Sequence, residues 1–470
     1  MASRLENEET KAKFPPVFWF ANGTELFERA AYYSMATFVV IYLGQMGLGT
    51  YWPAMLNTLL WFLVYFLPIL SGTVADQIGY RRALLGACLL LTAGYLLLGA
   101  PVWAGAASLS PTIEREVTAG AGAVVPAVIG IVLVGFGGSI VKPCVLATTQ
   151  KTAGSRATLA FALFYLVVNI GALFGRIVAY YVRTRPGAAL TSIFAVAAAL
   201  ALLALFVVAP FYKGPETAPG SGMPGKPRRS VREIILGMFT VIANLRFLLF
   251  LLVASAFYFL YNQFYVVVPL YLKTVVEPKP AMDIYTMSNP LVIVCLQLGI
   301  TKLFGRMKPI RSMIVGSLVM SAAMALNMLP ALAGGDVRAA VAGLLPLGSF
   351  LVVSSFAMCA FAELFTSPRM YEYVGALAPK GQEGLFLGYA NLPLALGSLA
   401  GGPIGALIFN EVMARGAARR ADGLLNLLPE RNAAGWMILT LVGLASALAM
   451  WFFNRWLERS AARADAASPN

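Results

Sequence analysis

Glu25, Glu28 and Arg29 stand inside the long apolar run Phe18–Leu43, followed at once by the pair Tyr32 and Tyr33. Charges at membrane depth are costly and usually face a cavity or a partner, so three together mark a functional segment. At about 100° per residue these five residues and Ala36 fall on one helix face roughly 140° wide. In later apolar runs lie Lys142, late in the fourth, Glu363 in the tenth, and Arg176 toward the outer end of the fifth. With Arg176 assigned to an outer gate, the midplane set is Glu25, Glu28, Arg29, Lys142 and Glu363, which leaves one carboxylate over. A carboxyl in a low-dielectric site beside fixed cations exchanges a proton as its surroundings change, the minimal equipment for proton coupling. The plainer alternatives are an internally paired bridge on the first helix and a static Lys142–Glu363 pair tying two halves together. Uncharged polar groups also recur in apolar runs: Asn169, Tyr261, Asn262, Gln263, Asn289 and Asn391. Singly, each reads as interhelical glue worth ~1 kcal/mol. Together, with tyrosines and charges of both signs, they suit a zwitterionic solute carrying amide groups.

The elements that position these groups follow from composition. Hydrophobic residues make up 59% of 470 positions, charged residues 12%, and the mean hydropathy is +0.76. Soluble domains carry about a quarter charged, so this is an integral membrane protein. Its apolar runs have helix length, ~20 residues, rather than the ~10-residue alternation of a barrel, so the fold is all-α. Spans are expected near 15–43, 51–73, 82–103, 122–148, 157–183, 188–212, 244–272, 284–304, 311–332, 338–366, 384–412 and 433–457, about twelve. The domains expected are a cytoplasmic tail 1–14, a six-helix bundle 15–212, a basic linker 213–243, a second six-helix bundle 244–457 and a tail 458–470. Sorted on this map, 22 of the 35 Lys and Arg residues fall on the side of the termini, 10 opposite and three within spans. The positive-inside rule then places both termini in the cytoplasm of a cell-membrane protein. The net charge of +14 reads as topology and contact with lipid headgroups, not as a nucleic-acid footprint. Arg415, Arg419, Arg420 and Arg431 crowd the last outer loop, against that rule and without explanation.

Several chemistries are disfavoured. Histidine is absent, which removes the usual near-neutral proton carrier and the commonest metal ligand. No metal site and no cofactor are expected, and proton work falls to carboxylates, with an ion or solute gradient as the energy source. Cys88, Cys144, Cys295 and Cys359 lie in spans and read as small packing groups. Gly220–Lys226 has the spacing of a phosphate-binding loop, but Pro227 replaces its magnesium-binding hydroxyl and no strand precedes it. No nucleophile with its base is recognisable, so an enzyme is not expected. The opening residues, polar from Met1 to Lys13, do not resemble a cleavable signal peptide.

Two sets of six spans suggest a pseudo-symmetric transporter whose solute binds near the bilayer midplane between rocking halves. Between the second and third spans, Gly72-Thr-Val-Ala-Asp76-Gln-Ile-Gly79-Tyr-Arg81-Arg82 resembles the cytoplasmic loop signature of the major facilitator superfamily. Its logic is a tight glycine turn, with Asp76 able to pair with an arginine or a helix N-terminus in one of two states. Asp76, Arg81, Arg82 and Arg176 are therefore the gating candidates.

A narrower resemblance follows. Glu25-Leu-Phe-Glu28-Arg29-Ala-Ala-Tyr32-Tyr33 is similar to the E-x-x-E-R-F-x-Y-Y motif of the proton-coupled oligopeptide transporters. Lys142-Pro143, the stretch Phe164–Leu173 with Asn169 and Gly171, Asn289-Pro290, and Glu363-Leu-Phe-Thr-Ser367-Pro368 followed by Ala376–Lys380 resemble four more motifs of that family, in order. The resemblance implies a major facilitator fold of two six-helix halves. It implies that Glu25, Glu28, Arg29 and Lys142 couple transport to protons, with Lys142 as ion-pair partner in proton release. Tyr32, Tyr33, Asn169 and Asn289 would line the peptide site, joined there by Asn262, Gln263, Ser367 and Asn391. Glu363 would meet the peptide's ammonium, which needs a desolvated carboxylate opposite it. Departures stand beside the matches: Ala36 where many members have arginine, Ser34 for the motif glycine, Ala390 near a usual tryptophan, and Asn262 for the acid before Gln263. The helices that many bacterial members carry between the halves are absent, the short basic linker taking their place. The expected function is proton-coupled symport of di- or tripeptides or similar zwitterions by a monomer in the lipid bilayer. The alternative is a related carrier for nitrate, an amino-acid conjugate or a drug, exporting or weakly proton-coupled.

Overall fold

The computed structural model describes residues 13–36, 38–49, 51–110, 116–184, 190–215, 236, 239, 241–278 and 280–467. The expected N-terminal tail and basic linker fall almost wholly outside them. The described chain is helical throughout, apart from two hairpins of two-residue strands. Contacts divide it into two compact units, one of Met1–Phe239 with Val374–Asn391 and one of Thr240–Tyr373 with Leu392–Asn470.

The first unit holds α1 (Pro16–Ala36), α2 (Val39–Leu43), α3 (Tyr51–Phe66), α4 (Pro68–Ile78), α5 (Tyr80–Trp103), α6 (Ala121–Ala153), α7 (Ala157–Thr184) and α8 (Ser192–Phe211). Helix α1 packs on α6, α7 and α8, while α6 packs on α3, α4, α5 and α7. Two contacts depend on glycine. A Cβ on Gly171 would lie 2.7 Å from the Leu26 carbonyl oxygen and one on Gly175 2.4 Å from that of Ala30, so α7 rests backbone to backbone on α1. Small residues at such spacing let membrane helices approach closely.

The second unit holds α9 (Leu245–Gln263), α10 (Val267–Tyr271), α11 (Met282–Phe304), α12 (Pro309–Ala325), α13 (Leu329–Leu332) and α14 (Leu347–Leu377), whose last residues enter the first unit. After it come α15 (Glu383–Tyr389), which belongs to the first unit, then α16 (Leu392–Leu407) and α17 (Pro429–Ala467) in the second. Helix α9 packs on α16 and α17, and α12 on α17.

Nine helical stretches of the described residues are long and apolar enough to cross a membrane, and the pair Met55–Phe66 and Pro68–Ile78, bent by 48°, makes up to ten. One of the nine, Ala121–Val182, runs through α6 and α7, which pack on each other as separate spans. Helix α1, at 21 residues, has the length to span but carries three charges. With these two included, the described residues hold the twelve spans expected.

Three boundaries differ from the sequence reading. The first span, expected as one run to Leu43, is described as two helices, Pro16–Ala36 and Val39–Leu43, with Phe38 in a turn before the second. The loop expected after residue 73 is helix as far as Ile78 and turns on Gly79 alone, whose φ of 89° suits a residue without a Cβ. Residues 338–346, expected as the start of a span, instead contain β1 (Ala340–Val341) paired antiparallel with β2 (Leu345–Pro346) through a turn at Ala342 and Gly343, both at positive φ. The apolar composition of that stretch hid the turn. A second hairpin pairs β3 (Ala418–Arg419) with β4 (Leu425–Asn426) in the basic loop before α17.

Candidate functional site

In the first unit, the charged face of α1 is buried: Glu25 and Glu28 are 0% exposed and Arg29 3%. Glu25 and Arg29, at i and i+4, share a face one turn apart, and the Arg29 side chain turns to its chain neighbour Glu28. Arg29 meets Glu28 with two parallel bonds, Nε to Oε2 at 2.5 Å and Nη2 to Oε1 at 2.8 Å. This bidentate geometry is the strongest form of the pair. Glu25 is held differently. Its Oε1 lies 3.5 Å from Arg29 Nε, and neither of its oxygens accepts a hydrogen bond. Lys142, on α6, stands close enough for its charge to act on Glu25, Glu28 and Arg29. The structure thus gathers the four expected residues, three buried and Lys142 half-buried, and sets the two acids, which the sequence left equivalent, in different surroundings.

The cluster continues along α1 through aromatic rings. The Arg29 guanidinium lies 5.2 Å from the centre of the Tyr32 ring, which meets Tyr33 edge-on at 5.5 Å. Arg176, on α7, lies 5.2 Å from the Tyr33 ring centre. Asn169, two turns earlier on α7, turns its Nδ2 back to the Tyr165 carbonyl at 2.9 Å.

The gating candidates separate. Asp76, near the end of α4, accepts from Tyr80 Oη at 2.6 Å and from the backbone N–H groups of Gly384 and Leu385, each at 3.1 Å. Free N–H groups at a helix start carry partial positive charge, so the carboxylate caps α15. A Cβ on Gly72 would lie 2.2 Å from the Gly384 carbonyl oxygen, so only glycine allows this approach. Arg81 donates to the Ala209 carbonyl at 2.7 Å, and Arg82 is exposed. Two charged residues beside this cap were missed in the sequence: Glu383, at the start of α15, pairs with Lys151 at 3.6 Å, and Lys151 also lies 4.6 Å from the ring centre of Tyr80. Neither stands in a motif, and their meeting joins residues more than two hundred positions apart. Asn391 is 2% exposed and points Nδ2 to the Gly388 carbonyl at 3.4 Å.

The second unit gathers a different site. Glu363, on α14 and 5% exposed, accepts from Asn289 Nδ2 of α11 at 2.6 Å and lies 3.9 Å from Cys359 Sγ, one turn away. Ser367, one turn further, lies 3.4 Å from Tyr258 Oη. Gln263 is fully buried and donates to the Phe259 and Gly401 carbonyls, joining α9 to α16. Its neighbour Asn262 has a buried Oδ1 that accepts no hydrogen bond. Sequence reasoning also missed Arg369. It is 6% exposed, meets Glu372 at 2.6 Å, and donates to the Phe304 and Gly305 carbonyls at the end of α11. A buried cation bonded to last-turn carbonyls favours the negative end of a helix dipole. The residue's place just after Ser367-Pro368 was the available signal.

Known proteins bear on this arrangement. The family model described as Major Facilitator Superfamily matches residues 19–352. An uncharacterised MFS-type transporter of Mycobacterium tuberculosis is 26% identical over 335 residues, covering 70% of this chain and 73% of that protein. Peptide transporter family 1 of Drosophila melanogaster is 28% identical over 167 residues, covering 34% of this chain and 21% of that protein. Among solved structures, a POT family transporter in complex with a thioalcohol-conjugated peptide shares the fold at a TM-score of 0.66 and 18% identity, covering 93% of this chain and 96% of that one. A peptide transporter in complex with alafosfalin does so at 0.62 and 18%, covering 95% of each chain.

Proposed function

The chain belongs to the Major Facilitator Superfamily, and from that premise we propose that it is a proton-coupled importer of di- or tripeptides or similar small zwitterions, working by alternating access. It is a multi-pass membrane transporter, and its family carries solutes rather than converting them. The observation that carries the proton coupling is the unequal treatment of the two acids on α1. Glu28 has its charge balanced at contact by Arg29. Glu25 is balanced only through space, by Arg29 at 3.5 Å and by Lys142. An acid held in this way changes its protonation when a conformational change moves one of the cations. Glu25 is thus the proton carrier, Arg29 and Glu28 its fixed frame, and Lys142 the counterion that answers proton release.

Substrate recognition rests on Glu363 for the ammonium, on Asn289, Ser367, Asn169, Asn262, Gln263 and Asn391 for amide groups, and on Tyr32 and Tyr33 for apolar side chains. Solved structures of this fold hold alafosfalin, a conjugated peptide and 5-aminolevulinic acid, which supports a small peptide-like solute. Asp76, Arg81 and Arg82 act at the cytoplasmic gate, where capping of α15 is made in one state and released in the other. No cofactor enters this scheme, the proton gradient being the energy source, and the protein works as a monomer with both termini in the cytoplasm. The test is uptake into proteoliposomes: an inward proton gradient should drive accumulation of labelled dialanine above equilibrium, and equal uptake with and without the gradient sinks the coupling.

A second reading has its own observation. Ala36 and Asn262 replace two charges common in peptide transporters, and Asn262 Oδ1 is buried without a hydrogen-bond donor. A carrier for a different small solute that donates to this oxygen fits that change. A melting screen in detergent separates the readings, because a bound solute raises the melting temperature: stabilisation by a non-peptide donor but not by dipeptides favours the second.

A further inference from the structure

Arg176 takes no part in the coupling scheme proposed above. Among the described residues its one charge-related contact is the face of Tyr33, and no carboxylate lies within ion-pair distance. The side chain is half-buried in the last third of α7, still within the apolar stretch that is long enough to span the membrane. An uncompensated guanidinium there is costly, and an aromatic face offsets only ~0.5–2 kcal/mol of that. The other cations of the unit's interior are differently placed: Arg29 is held at contact by Glu28, and Lys142 acts on Glu25.

The position of Arg176 is built. Gly171 and Gly175 bring α7 against α1 so closely that residue 176 reaches the ring of Tyr33. Seven residues return a helix to nearly the same face, ~10 Å further along, so Arg176 stands in line with Asn169. Arg176 and Asn169 on α7, with Tyr33 on α1, form one strip of the first unit: a cation, an amide and an aromatic wall. On α1, the turn after Tyr33 reaches Ala36, where the sequence lacks the arginine that many peptide transporters carry.

We propose that Arg176 is the binding residue for the anionic group of the substrate, a carboxylate in the first instance, and that α7 supplies the cation that α1 lacks at Ala36. Tyr33 holds the guanidinium plane so that its fork faces the carboxylate, and Asn169 takes the neighbouring amide. This inference rests on the reading of the substrate as a zwitterion, but it concerns the acidic end alone. The guanidinium fork is matched to a planar carboxylate in a way a lysine ammonium is not.

The test uses the full-length protein in detergent and three ligands: dialanine, dialanine amide and N-acetylalanine. The variants are Arg176→Gln and Arg176→Lys, with their melting temperatures without ligand as the control for folding. In the wild type, the two ligands with a free carboxylate should bind more tightly than the amide. Arg176→Gln should weaken those two by about ten- to hundredfold, as expected for one charge-assisted contact, and leave the amide unchanged. Arg176→Lys should recover part of the loss. Equal weakening of all three ligands, or none, overturns the assignment. Binding of N-acetylalanine that depends on Arg176, with no binding of dialanine, upholds the carboxylate site and overturns the peptide reading instead.

Discussion

The buried acids of the two units are held by different chemistry. On α1, Glu28 and Glu25 answer cations: one meets Arg29 through two contact bonds, the other lies at 3.5 Å from the same guanidinium. On α14, Glu363 is held by the amide of Asn289 and the thiol of Cys359. A charge matched by a fixed countercharge belongs to the frame of the protein, and removing one partner leaves the other uncompensated. A carboxylate oriented by an amide and a thiol offers charge-assisted hydrogen bonds to an arriving ammonium. The difference supports the proposed division, with proton handling in the first unit and recognition of an ammonium in the second, and it is testable one side chain at a time.

The largest effect expected falls on Glu28. Glu28→Gln takes both contact bonds from the buried Arg29 and leaves it only Glu25 at 3.5 Å, at a cost of up to roughly 3–5 kcal/mol, so the variant should melt well below the wild type in a detergent thermal scan as well as lose transport. Unchanged melting would mean that the bidentate pair is not part of the frame. Next comes Glu363→Gln, which should weaken dialanine binding by a hundredfold or so, the value of one desolvated charge-assisted contact, while N-acetylated ligands bind as before. Equal loss for both ligand types would remove Glu363 from ammonium recognition. A smaller loss, about tenfold in affinity, is expected for Asn289→Ala, which takes one oriented donor from Glu363. It should leave the gradient dependence of uptake untouched. A shift in gradient dependence would blur the division between the units.

Much of this was legible before any coordinates, and the pattern of what was not is physical. The Glu25, Glu28 and Arg29 cluster could be read because its geometry is set by helix periodicity within one turn. The span count followed from run lengths, since a membrane fixes how long each helix must be. The cap on α15 was anticipated only as a choice of partners for Asp76, because backbone groups three hundred positions away leave no trace in side-chain spacing. The meeting of Arg176 with Tyr33 depends on how deeply α7 sinks onto α1, a matter decided by Gly171 and Gly175. Residues 338–346 were misread as helix because Ala342 and Gly343 turn the chain inside an apolar stretch, where composition carries no warning. The two acids on α1 were indistinguishable in sequence, since each has Arg29 within reach along the helix.

That last distinction is the centre of the account, and Glu25→Gln in proteoliposomes tests it most directly. The variant should melt near the wild-type temperature, because Glu25 accepts no hydrogen bond whose loss would be felt. It should exchange labelled dialanine in counterflow at close to the wild-type rate, and it should fail to concentrate dialanine under an inward proton gradient. Gradient-driven accumulation by Glu25→Gln equal to that of the wild type would contradict the account.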